Sequence, residues 1–250
     1  MTFLAVPATR PAHLVRAFQS NGFSARSRAL SAMLAAVFGT VAVCANAANV
    51  PSGVQLAAKQ ELVRNNASEV ETLDPNLVES VPANNVSEDL FEGLTVTDAE
   101  GNVQPGVAQK WEQKDATTWI FHLRKNAKWS TGEAVTANDF VYGCQRLVDP
   151  KLASPSAETF GKFLLNGAEI IAGKKPVSEL GVRAIDANTL ELKTPNPVPF
   201  LPDLVSNTTL GPVNKAAVEK YGRDWTKPGK LVSNGAYQLK ECKSTASSCW

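Results

Sequence analysis

A period of two runs from Trp119 to Arg124, where Trp119, Phe121 and Leu123 interleave with Ile120, His122 and Arg124. A period of two predicts a strand that buries one face and leaves the other for water or pairing. Ser130-Thr131-Gly132 then turns the chain. At Thr136-Ala137-Asn138-Asp139 the Thr-x-x-acid spacing predicts a helix start, its hydroxyl accepting an orphan backbone N–H and its carboxylate favouring the positive end. Phe140, Val141, Cys144, Leu147 and Val148 continue on one helical face until Asp149-Pro150 stops them.

The same reading extends outward. Glu61 to Arg64 opens a strand, and Leu73-Asp74-Pro75 breaks the chain ahead of an irregular Val78 to Pro82. Val86, Leu90, Phe91 and Leu94 have the spacing of a helix over Asn85–Leu94, and strands dominate from there to Trp129. A further helix is predicted over Phe160–Ala172 before Gly173-Lys174-Lys175-Pro176 ends it. Val182–Ile185 and Thr189–Lys193 form a hairpin across Asp186-Ala187-Asn188. The prolines at 195, 197 and 199 block more pairing, and a short helix begins at Phe200-Leu201. The fold class is therefore mixed α/β with antiparallel-rich sheets.

Composition changes the picture mainly at the start. Residues 1–47 hold Arg10, Arg16, Arg26 and Arg28 with no acidic side chain, then an apolar run near Ala29–Val43, then Ala45-Asn46-Ala47. This is the pattern of a cleavable export signal, with the mature chain starting at Ala48. The apolar run is about fifteen residues, short of the ~20 that span a bilayer. Lipidation at Cys44 is the rival reading, disfavoured by the bulk of Val43. Without the leader's four arginines, 25 basic and 24 acidic side chains become 21 and 24, a net charge of minus three. No basic patch points to nucleic acid. His122 is the one histidine outside the leader, and no His-Glu-x-x-His, Gly-x-Ser-x-Gly, Walker or dinucleotide motif occurs, so no catalytic residue, metal site or cofactor is nominated.

Several motifs in order carry a resemblance: Leu62-Val63-Arg64-Asn65-Asn66, Leu73-Asp74-Pro75, Asp89-Leu90-Phe91-Glu92-Gly93-Leu94, the Pro105–Tyr142 segment, Gly181 to Asp186, Trp225-Thr226-Lys227-Pro228-Gly229 and Asn234-Gly235-Ala236-Tyr237. Together they resemble the family 5 extracellular solute-binding proteins, the peptide, dipeptide and nickel receptors of ABC importers, and within them the periplasmic oligopeptide-binding proteins. The resemblance implies a periplasmic binding protein-like fold. Its first lobe would take 48–91 and 215–250, and a smaller inserted lobe 92–214. It further implies a monomer in the Gram-negative periplasm that captures short peptides by main-chain pairing and delivers them to an inner-membrane ABC permease. The peptide-binding residues it implies are Glu79, Ser80 and Val81, which supply a strand edge, and Ser156, which stands where relatives carry a pocket-lining tyrosine. Cys144 likewise stands where the family carries a tryptophan.

After Tyr237-Gln238-Leu239-Lys240 the family continues a strand, whereas this chain reads Glu241 to Trp250 with Cys242, Cys249 and a run of serines. The expectation is a frameshift near Glu241, which makes the chain a truncated, binding-impaired fragment and leaves Cys242 and Cys249 without a structural bridge. A murein-peptide or dipeptide receptor is the alternative within the family. A pseudogene remnant and, remotely, a secreted hydrolase are the alternatives outside it.

Overall fold

The alternating stretch at Trp119 lies inside a four-stranded antiparallel sheet in the computed structural model, which describes residues 2–5, 61–63, 66 and 68–242. In chain order the strands are β1 (Thr2–Ala5), β2 (Glu61–Val63), β3 (Thr95–Thr97), β4 (Val103–Pro105), β5 (Ala108–Asp115), β6 (Thr118–Leu123), β7 (Val182–Asp186), β8 (Thr189–Lys193) and β9 (Tyr237–Glu241). The α-helices are α1 (Val81–Leu90), α2 (Ala137–Val148), α3 (Ala157–Phe160), α4 (Gly167–Ile171), α5 (Leu201–Leu204) and α6 (Lys215–Tyr221).

The main sheet runs β5-β6-β8-β7. Its register sets Trp119 opposite Leu192 and Leu192 opposite Val182, and Phe121 opposite Leu190 and Trp111. Those rows form the predicted apolar face, and Trp111 stacks on Phe121 at 6.4 Å. The alternation is incomplete in one place. Ile120 is buried too, flanked on the opposite face by Glu112 and Glu191, where Glu191 is held by Arg183 at 3.0 Å.

Helix α2 starts where the sequence predicts, at a capping box in which the Thr136 side chain faces the Asp139 backbone N–H. The Asp139 carboxylate accepts the Thr136 N–H at 2.7 Å and the Thr136 hydroxyl at 3.0 Å. Phe140, Cys144, Leu147 and Val148 are buried as expected, and Gly143 joins them. A Cβ at Gly143 would lie 2.3 Å from the Gly211 carbonyl, so only glycine lets α2 meet that backbone.

Two expected helices are corrected. The first runs Val81–Leu90 rather than Asn85–Leu94, because Ser80 caps it and Pro82 occupies its first turn, where a missing N–H costs nothing. Beyond Leu90 the chain is extended at Phe91, whose ring meets Trp225 edge-on at 6.3 Å. The helix expected over Phe160–Ala172 is broken into α3, a 3-10 turn at Gly161–Phe163, and α4. Asn166 there turns left-handed at φ 65°, and Gly167 approaches the Gly161 carbonyl too closely for any Cβ.

Two apolar clusters result. One surrounds the main sheet, from Leu94 to Leu210. The other gathers Val70, Leu73, Val78, Val86, Leu90, Phe91, Val213, Ala217 and Trp225. The chain passes between them at Leu90–Glu92, where Gly235 N–H donates to the Leu90 carbonyl and Asn234 exchanges two hydrogen bonds with the Glu92 backbone. Beside that passage Arg124 grips Glu92 with both guanidinium nitrogens, at 2.9 and 2.6 Å.

Strand β1 stands between β2 and β9, antiparallel to both, so four residues expected to leave with the signal take part in a sheet. The remainder of that expected signal, with its cleavage motif, lies outside the described residues. Cys242 is disulfide-bonded, against the expectation of unpaired terminal cysteines. Cys144 is free. Among the described residues no helix is long and apolar enough to cross a membrane.

Candidate functional site

The Leu73-Asp74-Pro75 turn holds a buried ionic junction. Arg146 of α2 donates to both Asp74 carboxylate oxygens, at 2.7 and 2.5 Å, and to the Asn76 amide oxygen at 2.8 Å. The Trp225 indole N–H and the Asn76 backbone N–H also donate to Asp74, at 3.2 and 3.1 Å. The Asn76 side chain then donates to the Thr209 carbonyl at 2.9 Å. A buried carboxylate with four donors, two of them from a cation, is satisfied, and it ties together segments far apart in sequence.

That junction launches a short extended run, Val78 to Ser80, which ends at α1. Its carbonyls are supported from below by two hydroxyls. Ser154 donates to the Asn76 carbonyl, and Ser156 donates to the Val78 carbonyl at 2.9 Å. Its amides are taken by one acid. Oε1 of Glu71 accepts the Glu79 N–H at 3.0 Å and the Ser80 N–H at 2.9 Å, while Oε2 accepts the Ser80 hydroxyl at 2.5 Å. The Ser80 oxygen in turn accepts the Ala83 N–H at 3.2 Å, which is the N-cap bond of α1. Burial is the largest single influence on Glu71 and raises its pKa, but the hydrogen bonds from Ser80 and Glu79 together outweigh it and leave the carboxyl below its ordinary value.

Beyond this bracing the run faces solvent. Val81 is 73 % exposed, the most exposed of the large apolar side chains that stand out on the surface. Among the described residues, the Glu79 carbonyl and the Val81 N–H have no hydrogen-bond partner. An acceptor and a donor one extended residue apart are what a strand edge offers to another chain.

The residues implied by the resemblance therefore meet in one place, with different roles. Glu79 and Val81 are exposed, Ser80 is half-buried under the rim as a cap, and Ser156 is buried and engaged with Val78 rather than open to a ligand. Glu71, Asp74, Arg146, Ser154 and Trp225 complete the arrangement without having been assigned roles from the sequence. An Asp before Pro at the break was a readable turn signal, whereas nothing local marked Glu71. His122 lies elsewhere, on β6, with Nε2 3.3 Å from Glu112 at the surface. Cys144 is fully enclosed, and burial pushes its thiol up to about 12. A shallow cleft of about 350 Å3 lined by Trp129, Thr136, Asp139, Asn214 and Lys215 includes none of the rim residues. Among the described residues no group of three or more His, Cys, Asp or Glu is placed to hold a metal ion.

The sequence profile described as "Bacterial extracellular solute-binding proteins, family 5 Middle" matches residues 102–247. The chain is 56 % identical over 201 residues to the periplasmic oligopeptide-binding protein OppA of Salmonella typhimurium, covering 80 % of this chain and 37 % of that protein. It is 50 % identical over 196 residues to the periplasmic murein peptide-binding protein MppA of Escherichia coli, covering 78 % of this chain and 36 % of that one. Among solved structures, OppA of Burkholderia pseudomallei superposes with a TM-score of 0.69 at 52 % identity, over 70 % of this chain and 35 % of that one. Haemophilus influenzae OppA in complex with the peptide RPPGFSPFR gives 0.68 at 45 % identity, over 72 % and 35 %. The chain thus spans little more than a third of the length of the curated relatives it matches.

Proposed function

This chain belongs to the family 5 bacterial extracellular solute-binding proteins, and on that footing we propose that its rim at Glu79–Val81 is one wall of a site for extended oligopeptides. The observation that carries the reading is the open Glu79 carbonyl and Val81 N–H beside an exposed apolar side chain, on a run whose Glu79 and Ser80 amides and Val78 carbonyl are already engaged. Backbone pairing of this kind holds a guest irrespective of its sequence, and side chains then add selectivity. The role is non-catalytic capture as the substrate-binding component of an ABC importer in the periplasm, with an inner-membrane permease as partner. The names of the relatives at 56 % and 50 % identity support it. Division into a first lobe (48–91 and 215–250) and an inserted lobe (92–214) is supported by the two apolar clusters, which part between Phe91 and Leu94 and again between Leu210 and Val213.

Calorimetric titration with tri- to pentapeptides of mixed sequence tests this. Binding is expected to be weak, as for a single wall, and little dependent on sequence, and it should be lost when the peptide's central amides are N-methylated. A γ-linked murein tripeptide, whose main chain is interrupted, should bind more weakly than an α-linked one. Equal binding of N-methylated and unmodified peptides, or no binding of either, would overturn the proposal.

A further inference from the structure

We propose that Glu71 is the positioning residue of the rim, and that its carboxylate sets which backbone groups face a bound peptide. The inference rests on the rim being a peptide wall. Three groups converge on this one acid: the N–H groups of Glu79 and Ser80 and the hydroxyl of Ser80. Consecutive N–H groups of an extended run point to opposite sides. Here both reach a single oxygen, so the run is bent at Ser80 and neither amide remains for a guest. The Glu79 carbonyl and the Val81 N–H keep no partner among the described residues.

The hydroxyl extends the control into the helix. Ser80 has one proton and gives it to Glu71, which leaves its lone pairs for the Ala83 N–H. The acid therefore fixes the cap, the cap fixes the first turn of α1, and that turn aims Val81. Glu71 itself need not touch the peptide. It lies eight and nine residues before the groups it holds, and Asn66 adds a second hold on the same turn by donating to the Pro82 carbonyl at 2.5 Å.

The test compares Glu71→Ala and Glu71→Gln in the full chain, by amide hydrogen exchange over residues 78–83 and by titration with an α-linked tripeptide. Glu71→Ala should speed exchange at Glu79 and Ser80 about tenfold and weaken the tripeptide about tenfold, while the rest of the chain keeps the parent's exchange pattern. Glu71→Gln keeps an acceptor oxygen and should restore both to within about threefold. Unchanged exchange in Glu71→Ala overturns the proposal, and so does faster exchange with parental affinity. If the parent chain binds no tripeptide at all, the peptide-wall reading fails and the positioning role falls with it, whereas exchange still reports separately whether Glu71 holds the run.

Discussion

Removing either partner of the Asp74–Arg146 pair should be among the most damaging single changes to this protein. Both side chains are nearly enclosed, with 6 % and 12 % of their surfaces exposed. Two unit charges about 4 Å apart attract by about 4 kcal/mol at the effective dielectric of a protein, and breaking a buried pair from one side costs about 3–5 kcal/mol because the survivor stays buried and charged. Arg146→Met leaves the carboxylate with only the Trp225 and Asn76 donors, and Asp74→Asn turns an amide against the guanidinium. Against a total stability of about 5–15 kcal/mol, such a loss lowers the thermal midpoint by about 6–20 °C. The double replacement Asp74→Leu with Arg146→Met should cost less than the sum of its parts, with a coupling above about 2 kcal/mol. Urea unfolding followed by circular dichroism measures all four corners of the cycle. Single variants that lose under about 1 kcal/mol, or losses that simply add, would refute the reasoning and reduce the pair to an ordinary surface ion pair.

Two further outcomes follow from the same geometry. The carboxyl of Glu71 has a folded pKa below its unfolded one, so its stabilising contribution is present above the unfolded value of about 4.3 and disappears as pH falls through the lower folded value; the gap in urea midpoint between the parent and Glu71→Gln should therefore shrink from pH 6 to pH 3, and a gap that widens would contradict the assignment. The thiol of Cys144 is pushed up to about 12 by burial, so alkylation at pH 8 should be negligible in the folded chain and complete in guanidinium chloride, as mass spectrometry of the Cys144 peptide would report.

What the sequence revealed and what it hid divide along the range of the interactions. Strand β6 and helix α2 were legible because their signals are periodic and local: Trp119, Phe121 and Leu123 share a face whatever they pair with, and Asp139 caps its own helix. The hairpin of β7 and β8 was legible for the same reason. Its place beside β6 was not, since Leu192 meets Trp119 across some seventy residues and no local pattern encodes that. The start of α1 was missed because apolar spacing favoured Asn85 to Leu94, while the true ends are set by Ser80, by Trp225 against Phe91, and by Gly93, whose Cβ would come within 2.8 Å of the Val205 carbonyl. A uniform helix from Phe160 to Ala172 failed on a contact between Gly161 and Gly167 that periodicity cannot see.

The rim is the extreme case of the same rule. The resemblance located Glu79, Ser80 and Val81, but no residue among those three determines how they stand. The amides of Glu79 and Ser80 answer to Glu71, the carbonyls before them to Ser154 and Ser156, and the turn that launches them to Asp74, Arg146 and Trp225. A short run with so few internal hydrogen bonds has little conformational preference of its own, so its shape is imposed by whatever satisfies its backbone. Substitutions that look purely structural, at acids and serines that need not meet the guest, should therefore change recognition as much as substitutions in the rim itself. On the proposed reading, in which the rim pairs with a guest's main chain, specificity is stored in the groups that hold the backbone still.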